Sequence, residues 1–239
     1  MNIQDKIALI TGGTKGIGLG IANAMLNEGM KVAITGRTQS SVDEALSSIK
    51  PEYKNQIIGI PGDVISLEDM QNAVDSVTNK WGRLDVVIAN AGVGHFASIE
   101  ELTPQQWHEV IDVNLTGVFN TVKASLNAIK SSKGYFITVA SLAGTNFFAK
   151  GAAYNASKFG LVGFTQAIML DLRQDGVKCS TIMPGSVATH FNNRIPTDAD
   201  AWKIQPEDIG QITIDLLKMH PRTLPSKVEV RPSMPPSKK

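Results

Sequence analysis

Ile7-Ala8-Leu9-Ile10-Thr11-Gly12-Gly13-Thr14-Lys15-Gly16-Ile17-Gly18 decides how the rest of the chain is read. A short apolar run ends in a cluster of glycines, and a helix-like stretch follows as far as Glu28 and Gly29. Strand, glycine turn and helix in that order begin a βαβ unit, and Lys31-Val32-Ala33-Ile34-Thr35 stands where its second strand belongs. Glycines let the backbone turn tightly and approach a pyrophosphate, whose charge the free N–H groups at the helix start then meet. Gly12, Thr14, Lys15, Gly16, Ile17 and Gly18 are therefore candidate dinucleotide-binding residues. A glycine-rich turn alone is weak evidence; the second strand at βαβ spacing strengthens it.

The end of that second strand bears on the choice of nicotinamide cofactor, because an acid there would accept a hydrogen bond from the adenosine ribose 2′-hydroxyl. The chain has Gly36-Arg37-Thr38 instead. Arg37 and Lys15 supply two cations suited to a 2′-phosphate, which arginine can bind bidentately. The reading is NADP(H) over NAD(H), against the alternative of two solvated surface charges.

Further along, residues 57–60, 84–89, 134–140 and 178–183 read as strands. Residues 67–81, a long stretch from Pro104 to about residue 130, and residues 152–173 read as helices, with Thr103 placed as N-cap and Pro104 at the first helical position. Strands alternating with helices support an α/β class. The chain has 239 residues, no internal repeat and no linker-like stretch. A net charge of +1 gives no reason to expect nucleic acid or a membrane surface as partner. No apolar run approaches the ~20 residues of a membrane span, and the start lacks the features of a secretion signal, so a cytoplasmic location is expected. Cys179, the one cysteine, lies in an apolar run and reads as a packing residue; no metal site is expected.

Chemistry enters with Ala153-Tyr154-Asn155-Ala156-Ser157-Lys158-Phe159-Gly160. Tyr154 and Lys158 are i and i+4, on one helix face. A cation there favours the phenolate, so the phenol pKa is expected below its free value of about 10, which suits a proton donor near neutral pH. A lone pair of this kind is ordinarily a surface aromatic beside a lysine. Two other residues weigh against that: Asn114, unfavourable inside a helix unless its amide is used, and Ser141, directly after a strand where open parallel sheets bind ligands.

The spacing Thr11-Gly12-x-x-x-Gly16-x-Gly18 resembles the turn of the short-chain dehydrogenase/reductase family, which also carries Tyr-x-x-x-Lys. Asn90-Ala91-Gly92, Asn114 within Asp112-Val113-Asn114-Leu115, Ser141, Tyr154 with Lys158, and Pro184-Gly185 follow in family order, and the likeness extends to about Met219. It implies a Rossmann-type doubly wound sheet of seven parallel strands in the order 3-2-1-4-5-6-7, one catalytic domain over residues 1–231, and a homotetramer built on the two long helices. The Pro-Ser-Lys tail, 232–239, is expected to be disordered.

The resemblance also implies roles. Tyr154 is the general acid, Lys158 lowers its pKa and binds nicotinamide ribose, Ser141 bonds the carbonyl oxygen, and Asn114 holds a proton-relay water. Asp63 and Val64 lie against adenine, Asn90, Ala91 and Gly92 beside the cofactor, and Pro184, Gly185, Val187 and Thr189 at the nicotinamide carboxamide. His95, Phe96, Leu142, Phe147, Phe148, His190 and Phe191 are pocket candidates, under a short lid, 189–205, that suggests an open pocket. The expected function is NADPH-dependent reduction of a small-molecule ketone or aldehyde. A 3-oxoacyl carrier-protein reductase is the nearest alternative, disfavoured by the C-terminal Val228-Glu229-Val230-Arg231-Pro232 and by Asp175. A regulatory NADPH-binding protein without turnover is the alternative of another class.

Overall fold

The computed structural model describes residues 2–235, apart from the side chain of Asn193. Seven strands, β1 (Ile7–Thr11), β2 (Lys31–Gly36), β3 (Ile57–Pro61), β4 (Val86–Ala89), β5 (Tyr135–Val139), β6 (Lys178–Pro184) and β7 (Lys227–Val230), form one sheet in the order β3-β2-β1-β4-β5-β6-β7. Every pairing is parallel, as in Leu9 opposite Ala33 on one side and Val87 on the other. β1 and β5 are buried at every position because helices cover both faces, so their sequences are mostly apolar. β7, at the edge, alternates exposed and half-buried residues, and its Lys227 and Glu229 discourage further pairing.

Alternate residues of each strand feed two cores. Ile10, Ile34, Ile88, Ile137 and Ile182 pack with α1 (Gly16–Asn27), α2 (Gln39–Ser48) and α7 (Pro206–Lys218). Leu9, Val87, Phe136 and Cys179 pack on the opposite face with α3 (Leu67–Trp81), α5 (Gly117–Ser132) and α6 (Ala152–Leu172). Helix α3 shows how local sequence sets such an element. Ser66 accepts from the Asp69 N–H at its start, left-handed Gly82 ends it, and Met70, Ala73, Val74 and Val77 form its buried stripe. At the amino ends of the strands, buried Asp85 accepts from Ile7 N and Lys6 Nζ, both at 3.0 Å, and from Arg83, tying β4 to β1.

The long helix expected from residue 104 differs in one respect. It opens as α4 (Pro104–Ile111) with Thr103 and Gln106 in a reciprocal capping box, passes through a π-helical turn (Asp112–Thr116), and resumes as α5. The wider turn contains Asn114, whose side chain is held from outside the helix. The C-terminal tail expected to be disordered, 232–239, is described only in part: residues 236–239 lie outside the described residues. Among the described residues no helix is long and apolar enough to cross a membrane, and no cluster of three or more His, Cys, Asp or Glu could hold a metal. Cys179 is fully buried, and burial pushes its thiol up to about 12.

Candidate active site

A parallel sheet brings the ends of all its strands to one rim, and the loops after β1, β2, β3, β4, β5 and β6 meet there. After β1, Gly12 and Gly16 take the left-handed φ values +62° and +54° that favour glycine. A Cβ on Gly18 would overlap the Gly12 carbonyl oxygen and stand 2.6 Å from Asn90 Nδ2. Asn90 Nδ2 donates to the carbonyls of Thr11 (3.0 Å) and Gly12 (2.9 Å), bracing the glycine turn against the end of β4. Helix α1 opens with no side chain capping its first N–H groups, so those donors are available to an anion. These features fit a dinucleotide.

The turn is also drawn to β2. Gly13 N donates to the Thr35 carbonyl at 3.0 Å, and a Cβ on Gly36 would meet the Thr14 methyl at 2.6 Å. Lys15 and Arg37 follow these contact points directly; both are exposed and neither joins an ion pair among the described residues. After β3, Asp63 folds its turn by accepting from Ile65 N at 3.2 Å, and Val64 is buried against Gly117. Asn120 Nδ2 holds the Val64 and Ile65 carbonyls at 3.0 Å each. At the β6 end, Gly185 N donates to Val230 O, Val187 bridges Ile204, and the Thr189 methyl faces Gly16.

The four candidate catalytic residues lie on three elements. Ser141 follows β5, and its hydroxyl accepts from Ala143 N at 3.1 Å. Burial raises the Tyr154 phenol above its ordinary pKa, with a hydrogen bond to Ser141 pulling the other way. The sequence spacing led to the opposite direction. The Lys158 ammonium lies 5.7 Å from the Tyr154 ring centroid and donates to the Val139 carbonyl at 3.1 Å, so its charge is directed at the backbone. Burial also lowers Lys158 itself to about 8.

Asn114 is fully buried and its amide is used on the protein. Nδ2 donates to Val93 O (2.9 Å) and Ser157 Oγ (3.0 Å), while Oδ1 accepts from Val93 N (2.8 Å). Oδ1 also lies close to Gly92: a Cβ there would be 3.3 Å from Oδ1 and 3.6 Å from Lys158 Nζ. Asn114 and Lys158 thus both come close to Gly92. Ser157, next to Lys158, is fully buried and donates to the Tyr154 carbonyl at 2.8 Å within α6, while the bond it accepts from Asn114 joins the π turn to that helix.

The pocket candidates separate. Phe96, Phe148, Phe191 and Tyr154 form a ring cluster. Phe191 comes from the lid, 5.7 Å from Tyr154 between centroids, so the lid covers Tyr154 more closely than its short length suggested. Leu142 lies beside Gly185, and His95 Nε2 is 2.8 Å from Glu109 Oε2. Phe147 is 86% exposed and joins none of the ring contacts. His190 lines a small groove with Gly16, Asn23 and Pro206 beside α1 and joins none of the ring contacts.

Two positioning residues escaped the sequence reading. Asn120 is one; Asn155 is the other, donating to Ala143 O (2.7 Å) and Asn146 O (2.8 Å) and so shaping the loop after Ser141. The argument that found Asn114, an asparagine costly in a helix unless its amide is used, applies equally to both.

The sequence profile of the short chain dehydrogenase family matches residues 6–200. An uncharacterized oxidoreductase of Staphylococcus saprophyticus is 32% identical over 234 residues, covering 97% of this chain and 99% of that one. A D-beta-hydroxybutyrate dehydrogenase of Cupriavidus necator is 35% identical over 189 residues, 78% of this chain and 72% of that one. Among solved structures, an alcohol dehydrogenase from the archaeon Thermococcus sibiricus, complexed with 5-hydroxy-NADP, superimposes with a TM-score of 0.90 at 27% identity, covering 98% of this chain and 99% of that one. With the profile matching most of its length and the glycine turn, Asn114, Ser141, Tyr154 and Lys158 gathered at one rim, the chain belongs to the short-chain dehydrogenase family of oxidoreductases.

Proposed function

We propose that the protein is an NADPH-dependent carbonyl reductase that converts a ketone or aldehyde to an alcohol, reversibly. The observation that carries the reading is the meeting of Tyr154, Ser141 and Lys158 beside the Asn90-braced glycine turn. NADPH would supply the hydride for the carbonyl carbon. Gly12, Thr14, Gly16, Ile17 and Gly18 would hold its pyrophosphate, Asp63 and Val64 its adenine, and Asn90, Ala91 and Gly92 its ribose side. Pro184, Gly185, Val187 and Thr189 would receive the carboxamide. Lys15 and Arg37, exposed and without carboxylate partners among the described residues, would hold the 2′-phosphate. The 5-hydroxy-NADP on the Thermococcus relative supports this choice.

Ser141 donates a hydrogen bond to the substrate oxygen, and the Tyr154 hydroxyl gives that oxygen its proton. Loss of the proton leaves a phenolate, which the Lys158 ammonium would stabilise while also holding a ribose hydroxyl of the bound cofactor. Asn114 Oδ1, which like Lys158 Nζ lies close to Gly92, would anchor the path by which the proton is replaced. We read residues 1–231 as one catalytic domain of a cytoplasmic homotetramer.

The test is Tyr154→Phe, assayed by NADPH oxidation with carbonyls that include acetoacetyl thioesters. The ring and Lys158 remain, so NADPH affinity should change little. Turnover should fall by roughly 10² to 10⁴, the range a positioned proton donor contributes. Undiminished turnover would remove Tyr154 from the mechanism. An unmodified protein that binds NADPH tightly yet reduces no carbonyl would favour a regulatory role, and a strong preference for the thioester would favour the carrier-protein reductase.

A further inference from the structure

The aromatic residues above Tyr154 come from three separate loops and converge on one ring. Phe96, after β4, is the hub. Its centroid is 5.4 Å from Tyr154 at 68°, 5.9 Å from Phe148 at 50° and 6.4 Å from Phe191 at 62°. Tilted and edge-to-face pairs at these separations are the favoured aromatic geometries.

The cluster is held in place by backbone. A Cβ on Gly94 would stand 2.8 Å from Phe191 Cζ and 3.1 Å from Phe96 Cζ, so both rings rest against that glycine. A Cβ on Gly151 would stand 2.6 Å from Phe148 Cε2, and Asn155 Oδ1 accepts from Phe148 N at 3.4 Å. Ala97 and Gly151 form a β-bridge that ties the Phe96 loop to the Phe148 loop. The rings therefore stand on a frame set before any ligand arrives.

Nevertheless Phe96 remains 40% exposed and Phe148 47% exposed, apolar surface left in water around the proposed proton donor. The nearby imidazole of His95 is engaged by Glu109 of α4, whose carboxylate beside the loop disfavours an acidic substrate.

The geometry points to an uncharged aryl ketone as the substrate class, its ring adding to the Phe96–Phe148–Phe191 cluster while its carbonyl oxygen meets Tyr154 and Ser141. This rests on the carbonyl-reductase reading and narrows it. An aryl group conjugated with the carbonyl is planar and lies one bond from the reacting carbon, so a ring seated in the cluster fixes the carbonyl beside the hydroxyls. A short aliphatic ketone lacks that anchor, and a carrier-bound thioester brings a flexible chain where the rings offer an edge-to-face seat.

The experiment compares kcat/KM for acetophenone, 2-butanone and an acetoacetyl thioester at saturating NADPH, in the unmodified protein and in Phe96→Leu and Phe148→Leu. Leucine keeps the apolar volume and deletes the ring, which limits damage to folding; NADPH affinity measured for each variant checks that the site is formed. Acetophenone is expected to exceed 2-butanone by at least about tenfold, and each substitution to shrink that ratio by roughly three- to tenfold, as loss of one aromatic pair implies. Reduction of 2-butanone or the thioester with no preference for acetophenone would overturn the aryl assignment and leave the carbonyl reductase standing. A ratio unchanged in both variants would equally overturn it. Failure to reduce any carbonyl would overturn both.

Discussion

Replacing Ser157 with alanine deletes one hydroxyl that performs two tasks. It accepts from Asn114 Nδ2 at 3.0 Å and donates to the Tyr154 carbonyl at 2.8 Å, in a position fully closed to water. The alanine variant leaves one N–H of the Asn114 amide without a partner, while the Val93 pair at 2.8 and 2.9 Å continues to hold the rest of that side chain. An unsatisfied buried donor costs about 1–3 kcal/mol, so Ser157→Ala should lose that much stability. Asn114→Ala also abandons the Val93 N–H and carbonyl and should lose more, on the order of 3 kcal/mol or above. The two changes share a bond, so the double variant should be milder than the sum by roughly 1 kcal/mol. Urea unfolding at one fixed protein concentration measures all four proteins, with constant m-values confirming that midpoint shifts report stability. Strict additivity, or a Ser157→Ala midpoint indistinguishable from the parent, would refute the argument that this hydroxyl fastens the π turn to α6.

Lys158, lowered by burial to about 8, resists protonation in the fold but not in the unfolded chain, which therefore binds more protons between about pH 8 and its ordinary 10.5. The stability of the parent minus that of Lys158→Met should accordingly rise with pH across that window, by on the order of 3 kcal/mol, and a flat difference would contradict it; taking the difference cancels the opposing effect of Cys179, whose raised thiol pKa costs stability above about pH 9. Arg37→Asp should weaken NADPH by well over tenfold more than NADH in fluorescence titrations, because a phosphate would then face a carboxylate, and equal losses would reject the 2′-phosphate assignment. Light scattering should give about four times the 25.7 kDa chain mass, and Phe119→Glu, on the outer face of α5 where Phe119 is 48% exposed and 6.4 Å from the Phe164 ring, should reduce it; a monomeric parent would exclude the tetramer.

The sequence alone determined the features that local pattern encodes. Continuous apolar runs marked the central strands, Thr103 and Pro104 marked the start of the helix that opens as α4, and glycines between strand and helix marked the dinucleotide turn. Family motifs in order then implied the strand permutation, which the sheet reproduces. Tertiary structure decided what depends on surfaces meeting across long stretches of chain. The π turn exists with Asn114 bound to Val93 and Ser157, 21 and 43 residues away. Phe191 reaches Tyr154 only through the folded lid. Above all, spacing put Lys158 on the Tyr154 face and so implied a lowered phenol pKa, but burial raises it, because desolvation and the direction of a charge are set by the packed surroundings, which helical spacing does not specify.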